Sequence, residues 1–306
     1  MRPTRTTPVR VALVAATLVL AACARDAAAP GTEPLDDAEA LQIGREIAAE
    51  VQGMANSFGL DGLLGPSLPG FGLDPRPHPR PGVACPMPDQ FPPTDSDGDG
   101  VPDELTLTFT EANCTFSGRD GATLVITGMV VISDPTAPPN TAFGFRVVVT
   151  DLLHKLTRAD GSFVARELDG VVQVVRSATE FSALDQTTAT HESSEGRSSQ
   201  LEKDWAVTFV ADEGQTLAGW RHLPSGTLTI NGSTIRTRGD HVHALAIATD
   251  ATAPLHFDAT CEADQKFDAG VLVITRTRGE ERVTITVTFT GCGEEPIIEV
   301  QRPPGA

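Results

Sequence analysis

The stretch "RVTITVTFTGCG", residues 282–293, decides the fold class. Val283, Ile285, Val287 and Phe289 alternate with Thr284, Thr286, Thr288 and Thr290. Successive side chains of a strand point to opposite faces, so this segment sets one face on a core and the other in water. That is the mark of antiparallel sheet. The stretch "ELTLTFT", residues 104–110, repeats the pattern with Leu105, Leu107 and Phe109. Working outward, further strands are predicted near 122–133, 143–153, 163–176, 186–193, 204–211, 226–237, 241–249 and 270–277. Hairpin turns fit at Asp160-Gly161, Gly239-Asp240 and Gly279-Glu280. Echoes such as "GATLVITG", "GTLTINGS" and "GVLVITRT" recur at irregular spacing, which favours repeated hairpins in one meander over a solenoid. The predicted architecture is mainly β: an antiparallel β-sandwich or an open β-barrel or meander over residues 83–300, followed by a tail at 301–306.

One helix is predicted ahead of this domain, over residues 35–58. Ala40, Ile43, Ile47, Val51, Met54 and Phe58 recur at spacings of three and four, forming one apolar stripe that faces a core. Asp36, Asp37 and Glu39 stand near its start, where the helix dipole favours negative charge. Its polar face is acidic, which argues against a helix lying on a membrane. Residues 59–82 form a Gly/Pro-rich connector, too punctuated for any regular element. Leucines and phenylalanines scattered within it suggest that part of it lies along the domain surface.

The N-terminus is a separate problem. Arg2, Arg5 and Arg10 precede "VALVAATLVLAAC", residues 11–23. That apolar run is too short to span a membrane, which takes about 20 residues, and has the length of a signal-peptide core. Its ending, Leu20-Ala21-Ala22-Cys23, is similar to the lipobox of bacterial lipoproteins. The resemblance implies cleavage of a signal peptide at 1–22, acylation of Cys23 and a lipidated tether at 23–34. Acyl chains buried at about 0.8 kcal/mol per CH₂ would then anchor the protein in the membrane. Residue 24 is Ala, not the Asp that holds such proteins at the inner membrane, so the outer membrane is expected if the cell is Gram-negative. Loss of residues 1–22 removes three arginines and no acid, taking the net charge from −18 to −21. No Lys/Arg cluster stands out, so nucleic acid and anionic lipid headgroups are poor partners.

Four cysteines remain after Cys23. An even number in an exported protein suggests two disulfides. Of the three pairings, Cys85–Cys114 with Cys261–Cys292 is favoured because each pair brackets a local strand unit. No C-x-x-C spacing supports a zinc site.

Catalytic signatures are sparse. "GPSLPG" around Ser67 lacks the second glycine and the strand-to-helix setting of a nucleophile elbow, and reads as a proline-rich turn. "HESSE" at His191 lacks the second histidine of a zincin helix. No phosphate loop or dinucleotide fingerprint is present. His241 and His243 form an H-x-H whose imidazoles share one strand face, so a transition metal could bridge them with a third ligand, His222 or His256. The plainer reading is paired histidines on an exposed face. With 41 acids, any carboxylate pair can be nominated for glycoside hydrolysis, which makes that signal worthless. Thirteen Phe, two Trp and no Tyr argue against a sugar-binding surface, which leans on Tyr and Trp.

One motif is sharper. In "DSDGDGVPD", Asp95, Asp97, Asp99 and Asp103 fall at positions 1, 3, 5 and 9 of a calcium loop. Gly100 takes position 6, where the chain turns, and the Val101 carbonyl position 7. The motif resembles the loops of thrombospondin type 3 repeats and dockerins, and more distantly the EF-hand. That resemblance implies structural Ca²⁺ held by Asp95, Asp97, Asp99, Val101 and Asp103. Position 12 is Thr106 instead of a carboxylate, so one ligand is missing or comes from elsewhere, such as Glu104 or water. Weak affinity follows, on the order of 10⁻⁴–10⁻³ M.

The chain therefore reads as a lipid-anchored envelope lipoprotein with a calcium-stabilised β-domain and a non-catalytic structural or binding role. A carrier of an apolar ligand in a β-cavity is the alternative, because a helix followed by a meander coarsely resembles periplasmic lipoprotein carriers in element order. A hydrolase with an unrecognised site comes third.

Overall fold

The computed structural model describes residues 35–56, 85–90, 92–118, 120–135, 143–217, 223–278 and 281–302. The predicted lipidation site Cys23, the leader, the tether, the connector with Ser67, and His222 lie outside the described residues.

Helix α1 runs Asp37–Asn56. The Asp36 carboxylate accepts the Glu39 backbone N–H at 2.7 Å, capping the first turn. Ala40, Ile43, Ile47 and Val51 of the predicted stripe are buried, joined by Ala48 and Ala55, while Met54 is partly buried and Phe58 lies outside the described residues.

The strands are β1 (Met87–Pro88), β2 (Glu104–Phe109), β3 (Thr115–Ser117), β4 (Thr123–Ser133), β5 (Gly144–Thr157), β6 (Phe163–Arg176) and β7 (Glu180–Ser193). They continue as β8 (Ser198–Ala211), β9 (Gly226–Arg238), β10 (His241–Thr249), β11 (Leu255–Phe257), β12 (Phe267–Arg278), β13 (Glu281–Phe289) and β14 (Ile297–Gln301). All belong to one antiparallel sheet in the order β1-β2-β4-β5-β6-β7-β8-β9-β10-β12-β13-β14. Two strands are interrupted. β2 and β3 both lie along β4, and β10 and β11 both lie between β9 and β12. The open meander is thus the form found, not two stacked sheets.

Inward side chains alternate as the sequence pattern requires. Trp205, Val207 and Phe209 of β8 and Val283, Ile285, Val287 and Phe289 of β13 are buried. One cluster of buried side chains joins α1 to strands from β4 to β13. The sheet bends partly at glycines. Gly170 in β6 has φ 128°, and a Cβ there would stand 2.2 Å from the Gln186 carbonyl oxygen of β7. Only glycine lets the two backbones approach that closely.

The sheet curls around α1. At 100° per residue, Glu39, Glu46 and Glu50 lie within about 20° of one direction on the helix, while Asp37 and Gly44 lie about 150° round from it. The glutamates reach β8, β9 and β10. Gly44 lies against Ile285 of β13 and Ile298 of β14, and Asp37 pairs with Arg302 just beyond β14. On a flat sheet β8 and β14 would stand about 24 Å apart, roughly twice a helix diameter. Contact on both flanks therefore requires curvature.

Candidate functional site

The acidic loop lies between β1 and β2. Gly98 and Gly100 have φ of 77° and 92°, the left-handed geometry expected of the turn. The Asp95 carboxylate accepts the N–H groups of Gly98 and Gly100, Asp97 that of Asp99, and Asp99 that of Val101 at 2.7 Å. Asp95, Asp97 and Asp99 each place an oxygen within 4.8 Å of the others. Oδ2 of Asp97 and Oδ2 of Asp99 are buried and accept no hydrogen bond. Burial pushes the Asp99 carboxyl up; the Val101 N–H opposes this, while Asp97, Asp134 and Asp95 reinforce it. Val101 buries its side chain in the core and anchors the loop.

Asp103 departs from the expected arrangement. Its two oxygens accept the Ser96 hydroxyl at 2.6 Å and the Ser96 N–H at 2.9 Å, which hold its carboxyl below the usual range. It closes the base of the loop and is not one of the converging three. Asp134, at the end of β4, is an acid near Asp99 that the sequence did not single out. Its backbone N–H meets the Asp103 carbonyl at 3.4 Å. The loop sits within the Cys85–Cys114 disulfide, whose Cα atoms are 5.3 Å apart. The second disulfide, Cys261–Cys292, joins the β11–β12 and β13–β14 connections. Both pairings are as predicted.

A second polar region lies under α1. Arg236 of β9 gives Nε and Nη2 to the two Glu46 oxygens at 2.7 and 3.0 Å. Its Nη1 stands 3.6 Å from Glu39 Oε1. Nε2 of His243 is 2.9 Å from the same Glu39 oxygen. Lys203 meets Asp185 at 2.9 Å and Glu50 at 3.6 Å. Burial disfavours the Lys203 charge, but Asp185 and Glu50 outweigh it and hold its pKa above the ordinary value. Register explains the convergence: Leu201, Arg236 and His243 form one cross-strand row, and Thr187, Lys203 and Thr234 the next. A further row is His154, Arg166 and His191. Burial, then Arg166, pushes His154 down to about 4. His191 is lowered by the same two causes.

The predicted H-x-H is split by this arrangement. His243 is 1% exposed beneath α1, and His241 stays exposed at the strand end. The plainer reading of an exposed pair holds for His241 alone. Glu39, His241 and His243 each offer one ligand atom within 4.8 Å of the others. His256 is not near them as a third ligand; it lies between Asp268 at 2.6 Å and Asp212 at 3.1 Å. Burial opposes its charge, yet the two carboxylates leave its pKa raised. A third group, Asp151, Glu167 and Asp169, stands at the β5–β6 bulge, where Asp169 accepts the Asp151 N–H at 2.7 Å.

No family model, curated protein or solved structure matches the chain.

Proposed function

We propose that the protein is an exported envelope lipoprotein, anchored in the membrane through acyl chains on Cys23. In this reading the β-domain is a calcium-stabilised scaffold with a structural or binding role, not a catalytic one. The observation that carries the reading is the inner face of the sheet. Its part formed by β8–β10, β13 and β14 is covered by α1, whose Ile43, Ile47 and Val51 are at most 1% exposed, and Lys203, Arg236 and His243 meet Glu50, Glu46 and Glu39 across the contact. Two disulfides suit an oxidising compartment. The buried, unpaired oxygens of Asp97 and Asp99 favour a hard cation at the loop.

Two experiments test it. Cys23→Ser should remove acyl mass and either release the protein from the membrane fraction or leave it unprocessed; a mature chain beginning elsewhere without acyl mass rejects the anchor. Calcium at ten times a Kd of about 10⁻⁴ M should stabilise the fold by about 1.4 kcal/mol, and Asp97→Ala with Asp99→Ala should abolish the gain. Melting indifferent to both calcium and chelator reduces the loop to a turn.

A carrier of an apolar ligand is the second reading. It rests on the single curled sheet, whose Phe181, Phe209, Phe257, Phe267 and Phe289 belong to one buried apolar cluster. Lipid co-purifying with the protein in stoichiometric amount would select it.

A further inference from the structure

We propose that Glu39, His241 and His243 form a binding site for a divalent transition metal of the zinc class, which would tie the first turn of α1 to the start of β10. The site is independent of the calcium loop and of the anchor. Period-two geometry sets both imidazoles on the face of β10 that looks toward the helix. Glu39 Oε1 is already 2.9 Å from Nε2 of His243, and the exposed His241 contributes a ligand atom within 4.8 Å of both. Tetrahedral ligands about 2.1 Å from zinc stand about 3.4 Å apart, so the metal would replace the Glu39–His243 hydrogen bond, that pair opening slightly while the exposed His241 closes in.

The position of Glu39 supports this role. Asp36 and Glu39 have the spacing of a capping box, in which the acid at the third helical position turns back to the cap residue. Asp36 does accept the Glu39 N–H, but the Glu39 carboxylate turns to the sheet instead. Arg236 does not compete for it at short range, because its two short bonds go to Glu46. Its Nη1 stands 3.6 Å from Glu39 and makes no hydrogen bond to it. Two nitrogens and one oxygen suit zinc, cobalt or nickel, whereas the all-oxygen loop at Asp95, Asp97 and Asp99 suits calcium. Exposure of His241 leaves room for water as a fourth ligand.

The test is a Co²⁺ titration of untagged, full-length protein in millimolar calcium, read by visible d–d absorption and by competition with Zn²⁺. One equivalent should bind, and zinc should displace it. His241→Ala, at an exposed position, should weaken binding by at least about tenfold without altering the calcium response. Asp97→Ala with Asp99→Ala should leave it unchanged. Glu39→Gln should weaken it likewise, and if that variant fails to fold, His241→Ala decides alone. Absence of a cobalt spectrum overturns the proposal, as does equal affinity in His241→Ala or loss of binding in the loop variant.

Discussion

Against β13 and β14, helix α1 packs carbon on carbon, and a Cβ at Gly44 would stand 2.7 Å from Ile298 and 3.1 Å from Ile285. Against β8, β9 and β10, the same helix sets Glu50, Glu46 and Glu39 on Lys203, Arg236 and His243. The two flanks do different work. Apolar burial is strong but non-directional, so it draws the helix onto the sheet without fixing its rotation. The bidentate Arg236–Glu46 pair has a required geometry and tolerates one rotation and register. Removing one partner of a buried pair is costly, whereas replacing both with apolar groups is often neutral.

The largest expected effect tests the apolar flank. Ile43 is fully buried, and Ile43→Ala should cost about 2–5 kcal/mol in urea unfolding. A loss below about 1 kcal/mol would mean that the helix is not part of the cooperative core.

The charged region should show its difference through pH. His154 titrates near 4 when folded and near 6.5 when unfolded, so the unfolded chain binds the extra proton. Its contribution is therefore complete above about pH 6.5 and is lost as pH falls toward 4, at most roughly 3 kcal/mol. His191 acts in the same direction. Stability measured across this range should fall, and His154→Gln should flatten the slope; an unchanged slope would remove His154 from the account.

Glu46→Ala comes next. It strips the short bonds from Arg236, whose side chain is 5% exposed, while Glu46 itself is 44% exposed and screened by water. The expected cost is about 2 kcal/mol, less than for a fully buried pair. Adding Arg236→Met should recover most of it. A double variant no more stable than the single would show that the pair contributes energy, and not only position.

The smallest effect belongs to a charged contact away from the helix. His256 lies between Asp212 and Asp268 with about a third of its side chain exposed. Its pKa is raised despite burial, so its contribution is present below about pH 6.5 and fades as pH rises through the folded value. His256→Ala should cost under about 1 kcal/mol at low pH and less above that range. A larger loss would place this site on a par with the helix seam.

Much of the fold was legible because its signals are local. Alternation in 104–110 and 282–293 specified half-buried strands, and the three–four spacing from Ala40 to Val51 specified one buried helix face. The missed segments are instructive. The first halves of β7 and β8 were not predicted, because their inward positions include Asp185 and Lys203, and a buried ion pair breaks the hydrophobic alternation. Glu39, Glu46 and Glu50 were equally visible as a stripe beside the apolar one. Their meaning was hidden, since an acidic stripe has the same sequence whether it faces water or cations.

The sequence by itself determined most of the long strands, the helix, the local disulfide brackets and the Asp-Gly turn, because each depends on neighbours within a few tens of residues; the short β1, β3, β11 and β14 carry no such pattern. Only the tertiary structure decided that the meander is one curled sheet, that His243 is covered, and that Asp103 turns to Ser96 while Asp134 approaches the loop. It also brought Glu39 to His243 and Glu46 to Arg236 across 204 and 190 residues of chain. Period-two patterning states that one face of a strand is buried, and carries no information about which distant segment buries it.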